Sequence, residues 1–255
     1  MSRLALAAGT LWYREIVRFY RDRGRVIGAL APPVLFWFII GSGLQGSFSA
    51  PGAAPGAYLQ FFFPGTLLLI VLFTAIFSTI SIIEDRHQGF LQAVLVAPIP
   101  RSSLVLGKLL GGTTLGFLQG LTFLLLTPWT GLHLSAATLP LVLAELWLVS
   151  FGLTGLGFWI AWKMDSTQGF HAVMNLFLMP MWILSGSLFP ASGAPRWLQW
   201  VMAANPVSYA AAALQHGFGL DAGGHLPRLS TCIAVTLAFD AVAFASCAWA
   251  AGRSS

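Results

Sequence analysis

Charge is what this chain has least of. Only 8% of its 255 residues are charged, with 13 Lys and Arg against 8 Asp and Glu. A soluble domain carries about 25%. With 57% of residues hydrophobic, no single globule hides so much apolar surface from water, so the bilayer is the solvent. The length suits one membrane domain and leaves no room for a second soluble one. Cysteine is almost missing: Cys232 and Cys247 fall on one predicted helix, fifteen residues and roughly 22 Å apart, which excludes a bridge between them. A nucleotide-phosphate loop is missing too. Gly107-Lys108 is followed by Leu109 rather than Ser or Thr and lacks the earlier glycine, so energy has to come from a partner or an ion gradient. The histidines (His87, His133, His171, His216 and His225) are scattered without metal-ligand spacing, and no nucleophile–base pair suggests an intramembrane enzyme. The formal charge of +5 does not point to nucleic acid, because the basic residues flank apolar runs, where they meet anionic headgroups.

Six apolar runs predict an all-α, polytopic membrane protein with spans at about 26–44, 62–83, 104–128, 139–162, 170–190 and 229–250, each near the length needed to cross the hydrocarbon core. The first run starts too late and runs too long for a cleavable signal, although FSAPGA after it loosely resembles a cleavage site. Arg3, Arg14, Arg18, Arg21, Arg23, Arg25, Arg86, Arg101, Lys108, Lys163 and Arg253 fall on one side of the spans, and only Arg196 and Arg228 on the other. The positive-inside rule makes the first side, with both termini, cytoplasmic.

Residues 1–25 read as a separate element ahead of a six-helix domain over 26–255. Arg14, Arg18, Arg21 and Arg25 recur at helical spacing on one face, and Trp12, Ile16, Phe19 and Tyr20 fill much of another. This predicts an amphipathic helix in the cytoplasmic interface; a plain positive-inside anchor is the alternative. Pro32 and Pro33 should kink the first span. Gly112, Gly116 and Gly120, preceded by Gly107 and Gly111, make a smooth stripe for close helix packing. Glu145 and Asp240 lie inside predicted spans, where an ionisable group is a functional candidate; the alternatives are a reach to the interface for Glu145 and a hydroxyl partner such as Thr236 or Ser246 for Asp240.

The most distinctive polar segment is EDRHQGFLQAVLVAPIPRSSLVLGK, residues 84–108. Glu84, Asp85 and Arg86 leave the second span. After Gly89, the residues Phe90, Leu91, Val94 and Leu95 form a short amphipathic helix that Pro98 and Pro100 end before Arg101. A second segment, 179–218, carries Ser185-Gly186, Phe189-Pro190, Pro195-Trp197, Asn205-Pro206 and Tyr209; PGTLLL opens at Pro64. In order and spacing these stretches resemble the type-2 ATP-binding-cassette exporter permeases, the multidrug- and daunorubicin-resistance-like membrane subunits, over about 60–250.

The resemblance implies specific roles. The helix near 86–97, with Glu84, Asp85, Arg86, Gly89, Phe90, Leu91, Val94, Leu95, Pro98, Pro100 and Arg101, would be the coupling element that docks on a cytoplasmic ATPase. The N-terminal helix would lie beside the same surface. Residues 192–218 would form two outer re-entrant helices broken at Pro195, Asn205 and Pro206, and Gly186, Phe189 and Pro190 would stand near an outer gate. Two copies of a separate ATPase, which would bind ATP and Mg, would drive a homodimer or heterodimer of permease chains in a bacterial inner membrane. The chain itself would need no cofactor. The cargo would be an amphipathic small molecule, lipid or glycan moving outward. A gradient-driven carrier or channel using Asp240 and Glu145 is the competing reading.

Overall fold

The computed structural model describes residues 3–44, 58–132, 134–221 and 226–253. The FSAPGA stretch, His133 and His225 lie outside them. Among the described residues six helices are long and apolar enough to cross a membrane: Arg23–Gly43, Tyr58–His87, Arg101–Leu124, Leu139–Trp162, Thr167–Ser187 and Leu229–Arg253. These agree with the six apolar runs to within a few residues, the largest shifts being at chain reversals.

The N-terminal segment divides into α1 (Arg3–Arg21) and α2 (Arg23–Gly43). Asp22 makes the break. Its carboxylate accepts the Arg25 backbone N–H and takes Arg25 Nε at 2.9 Å, which caps α2 and puts Arg25 on a different helix from Arg14 and Arg18. Pro32 and Pro33 do not interrupt α2, which continues through both.

The central rod is α3 (Tyr58–His87), buried along almost its whole length. Its buried hydroxyls Thr66, Thr74 and Thr79 donate to carbonyls one turn back, so a polar side chain inside the bundle stays satisfied. A short α4 (Phe90–Val96) leads into α5 (Arg101–Leu124), which a single turn, α6 (Thr127–Thr130), follows. The helices α7 (Leu139–Trp162), α8 (Thr167–Trp182) and α11 (Leu229–Arg253) complete the spans. Against α3 pack α2, α5 and α7; α11 lies along α7.

The five glycines of α5 form two ledges. A Cβ at Gly107 would meet Leu11 Cβ at 2.7 Å and the Ala8 carbonyl at 2.9 Å, and one at Gly111 would meet Glu15 Cβ at 2.7 Å. On the other side, the Cβ positions of Gly116 and Gly120 would run into Ser150 and Leu146 of α7. Thus α1 is seated against α5 by backbone approach. Its aromatics follow: Phe19 is buried with Ala29 and Leu115, and Trp12 Nε1 donates to Thr114 Oγ1 at 3.0 Å.

At the opposite end α8 continues into a π-helical turn, Ile183–Ser187, that closes at Gly186 with φ +84°, a left-handed conformation glycine accepts. Two short helices follow, α9 (Arg196–Ala204) and α10 (Pro206–Gly217). The break falls at Asn205-Pro206, as the sequence suggests, and Pro195 immediately precedes α9.

Candidate functional site

The charged end of the bundle is built on the α3–α5 connection. Gly89, at φ +74°, turns the chain from α3 into α4, and Pro98 and Pro100 bracket the way into α5. Helix α4 has an inner and an outer edge. Leu91 is buried, and Phe90, Val94 and Leu95 are packed partly on the core, whereas Gln92, Ala93 and Val96 are exposed. The amphipathic pattern in the sequence therefore marks the edge that anchors this helix. The edge free to meet another molecule is Gln92-Ala93-Val96, which the pattern passed over.

A cluster of ion pairs holds this connection to α1 and α2. Asp85 is fully buried and takes Arg14 through both guanidinium nitrogens at 2.7 and 2.9 Å, and Arg18 at 2.6 Å. The hydrogen bonds to Asp85 raise the Arg14 pKa above its ordinary value, and the same guanidinium lies 3.8 Å over the Phe90 ring. Glu84 takes Arg18 at 2.6 Å and also Arg25. From α5, Lys108 reaches Asp85 and, at 2.7 Å, Glu15 of α1; Ser81 donates to the other Glu15 oxygen at 2.7 Å. Glu15 and Lys108 are each about 96% buried or more by side chain. The cluster is neutral in sum: Glu15, Asp22, Glu84 and Asp85 against Arg14, Arg18, Arg25 and Lys108. Such a balance makes burial of the charges tolerable, since their hydrogen bonds replace the lost water. Arg21 joins no ion pair among the described residues.

Two further fastenings use helix ends. Arg86 donates to Asp165 at 2.6 Å, to the Met164 carbonyl at 3.0 Å and to the Trp162 carbonyl at 2.5 Å, closing the C-terminus of α7. Arg101 donates to the Ala251 and Gly252 carbonyls at 3.1 and 2.9 Å, closing that of α11. Cations suit helix C-termini because the last carbonyls lack intrahelical donors. The α3–α5 connection is thus tied to α1, α2, α7 and α11.

The other end shows the sequence-marked residues in a turn rather than an open cleft. Asn205 accepts Val207 N–H at 3.1 Å and donates to the Met181 carbonyl at 2.6 Å; Tyr209 donates to the Ala203 carbonyl at 2.9 Å. Trp182 Nε1 donates to the Gly65 carbonyl at 2.7 Å, and Tyr58 to that of Leu188 at 3.0 Å. Together these bonds lock the α8–α10 segment onto the start of α3. Phe189 and Pro190 lie half-buried just after the left-handed Gly186, and Pro206 opens α10.

Glu145 and Asp240 stand apart from both ends, in the seam between α7 and α11. Glu145 does not reach the interface: it is 1% exposed and faces Thr236 of α11, with Oε1 to Oγ1 at 2.9 Å. Thr236 is therefore turned to Glu145 rather than Asp240. Asp240 is 7% exposed and reaches toward Gly152 of α7. Neither has a salt bridge among the described residues.

A bundle of six apolar helices, with a short crosswise helix pinned at one end and a locked reversal at the other, defines a multi-span membrane permease. The chain belongs to the ABC-2 type transporter family, whose model matches residues 7–218. It is similar to the inner membrane transport permease YadH of Escherichia coli (strain K12), 28% identical over 222 residues that cover 84% of this chain and 83% of that one. It is also similar to the daunorubicin resistance ABC transporter permease protein DrrB1 of Streptomyces coeruleorubidus, 26% identical over 216 residues covering 81% and 74%. The transport permease ycf38 of Cyanophora paradoxa is 27% identical over 198 residues, 77% and 68% of the two chains.

Proposed function

We propose that this permease is the membrane subunit of an exporter in a bacterial cytoplasmic membrane, with its charged end and both termini in the cytoplasm, driven by ATP hydrolysis on a separate subunit. Two copies of that ATPase, each with its own ATP and Mg, would work on two permease chains, identical or sister, with the conduit between them. The cargo is an amphipathic small molecule, lipid or glycan: spans with so few charges suit it better than a small ion.

The observation that carries this reading is the fastening of α4. A helix that receives force from a motor has to be stiff and tied to the parts it moves. Here the short helix sits between a left-handed glycine and two prolines, and arginines at its two flanks hold the ends of α7 and α11. Family membership supports the ATP-driven reading over the gradient-driven one.

The test targets the outer edge of α4. Gln92, Ala93 and Val96 are replaced together by Glu in the permease co-expressed with its ATPase. The permease should remain folded and membrane-inserted, because these positions touch little; surface changes alter stability by about 0.5 kcal/mol. Cargo-dependent ATP hydrolysis and transport should fall to the level of ATPase alone. Full hydrolysis and transport in this variant would remove α4 as the coupling element. Transport that survives ATP depletion but stops with an uncoupler would favour the gradient-driven alternative.

A further inference from the structure

The seam between α7 and α11 holds two carboxyl groups and, among the described residues, no cation paired with either. Glu145 and Asp240 are both more than nine-tenths buried, each reaches toward the other helix, and each keeps one oxygen without a hydrogen-bond partner: Oε2 of Glu145 and Oδ1 of Asp240. Elsewhere in this protein buried acids are treated differently. Asp85 and Glu15 are each met by at least two cationic nitrogens or hydroxyls. The titratable groups on the packed elements do not serve the seam. Lys108, Arg14, Arg18, Arg25, Arg86 and Arg101 belong to the charged end, Arg196 and Arg228 are exposed at the opposite end, and His216 of α10 lies against the Pro227 carbonyl and Asp221. Cys232 is one turn before Thr236, and its thiol lies 3.6 Å from the Pro227 carbonyl.

The hydroxyl that meets Glu145 allows a count of protons. Thr236 Oγ1 lies 2.9 Å from Glu145 Oε1 and 3.1 Å from the Cys232 carbonyl. A hydroxyl has one proton, and a carbonyl only accepts. With the Thr236 proton on the Cys232 carbonyl, the shorter contact needs a proton on Glu145. With the Thr236 proton on Glu145 Oε1 instead, an ionised carboxylate would have one hydroxyl for company and a bare Oε2, which burial strongly penalises, so that arrangement too favours a proton on Glu145.

We propose that the α7–α11 seam is a proton-binding site, with Glu145 carrying the proton as a neutral carboxylic acid that donates to Thr236, which in turn donates to the Cys232 carbonyl. Asp240, facing the same seam, is the second acid. A proton needs no cavity, which fits the close packing here: a Cβ on Gly152 would meet Asp240 Oδ1 at 2.5 Å. The proton leaves only when water or a cation enters, so the seam distinguishes closed from opened arrangements of these two spans. This inference stands on the geometry of the seam and does not depend on the cargo or the motor.

Infrared spectroscopy of the full chain in lipid nanodiscs at neutral pH tests it. Acids at the charged end are ion-paired carboxylates and contribute no neutral-carboxyl stretch. The wild type should show such a band, Glu145→Gln should remove the share of it that belongs to Glu145, and Asp240→Asn should leave that share in place. Absence of the band in the wild type, or a band unchanged in Glu145→Gln, overturns the proposal; a band lost only in Asp240→Asn overturns the assignment to Glu145. A second measurement needs no variant: dicyclohexylcarbodiimide, which modifies protonated carboxyls in apolar surroundings, should label the wild-type peptide containing Glu145, and less as pH rises. Labelling that misses this peptide at neutral pH counts against the site.

Discussion

Two groups of acids sit in this molecule under opposite terms. At the charged end, four carboxylates meet four cations from three helices, and the carboxylate at the centre, Asp85, is held by Arg14, Arg18 and Lys108. In the α7–α11 seam, one of two acids, Glu145, meets a single hydroxyl, and Asp240 keeps a bare oxygen. The first arrangement is rigid because no member can leave without stranding the others. The second is labile because nothing charged holds it. Four of the 13 lysines and arginines serve the charged cluster, and among the described residues none pairs with an acid of the α7–α11 seam.

The largest effect comes from breaking the first group. Lys108→Met removes the cation shared by Glu15 and Asp85 and leaves both buried. Loss of one partner of a buried pair costs about 3–5 kcal/mol. The permease should unfold at clearly lower temperature or denaturant concentration and lose membrane yield. The matched change in the seam, Glu145→Gln, preserves shape and hydrogen bonding to Thr236 and should change stability by under about 1 kcal/mol. Equal losses in the two variants, read by thermal unfolding in the same detergent, would erase the contrast.

A smaller effect follows from wedging α1 off its ledge. Gly107→Leu places a side chain where Leu11 Cβ and the Ala8 carbonyl already stand. Overpacking of this kind costs about 1–3 kcal/mol. Proteolysis should then cut the α1–α2 junction at Arg21 to Arg25 faster, while the spans beyond stay protected. Unchanged cleavage there would mean that the ion pairs alone seat α1.

The smallest change in stability, and the most selective in function, is expected from Arg86→Gln. It frees the C-terminus of α7 from the α3–α5 connection but leaves the ion cluster whole. The three hydrogen bonds of Arg86, to Asp165 and to the Met164 and Trp162 carbonyls, are lost, but glutamine replaces part of them and Asp165 is open to water, so the net cost is about 1 kcal/mol or less. ATP hydrolysis in the complex should persist while transport drops several-fold. A parallel fall in both would place Arg86 in the contact with the motor instead of behind it.

Hydropathy made the six spans legible, since a membrane span is a property of twenty neighbouring residues. The break at Asn205-Pro206 and the prolines around α4 were legible for the same local reason. The ion cluster was not. Arg14, Arg18 and Arg25 read as one helical face turned to headgroups, but their carboxylates are 59 to 71 residues away, and Asp22 breaks the face before Arg25. Lys108 read as the entry to a span, because Glu15 is 93 residues earlier. One local signal existed: Leu11, Glu15 and Phe19 recur at i, i+4, i+8 and are all buried, so a lone acid on an apolar stripe announced a distant cation. For α4 the periodicity marks the edge packed on its own protein, because a half-buried helix turns its apolar residues inward and leaves the rest exposed.

The ledges of α5 have a mechanical corollary. Each glycine is a notch that receives a neighbour's side chain, Leu11 and Glu15 of α1 on one side and Ser150 and Leu146 of α7 on the other. The ionic pins lie at one extremity of α5, near Lys108, and the notches at Gly116 and Gly120 lie beyond it. A displacement at the pinned extremity would therefore pass along α5 to α7 through fitted contacts and not be lost as slip, as an oar passes a stroke to its blade.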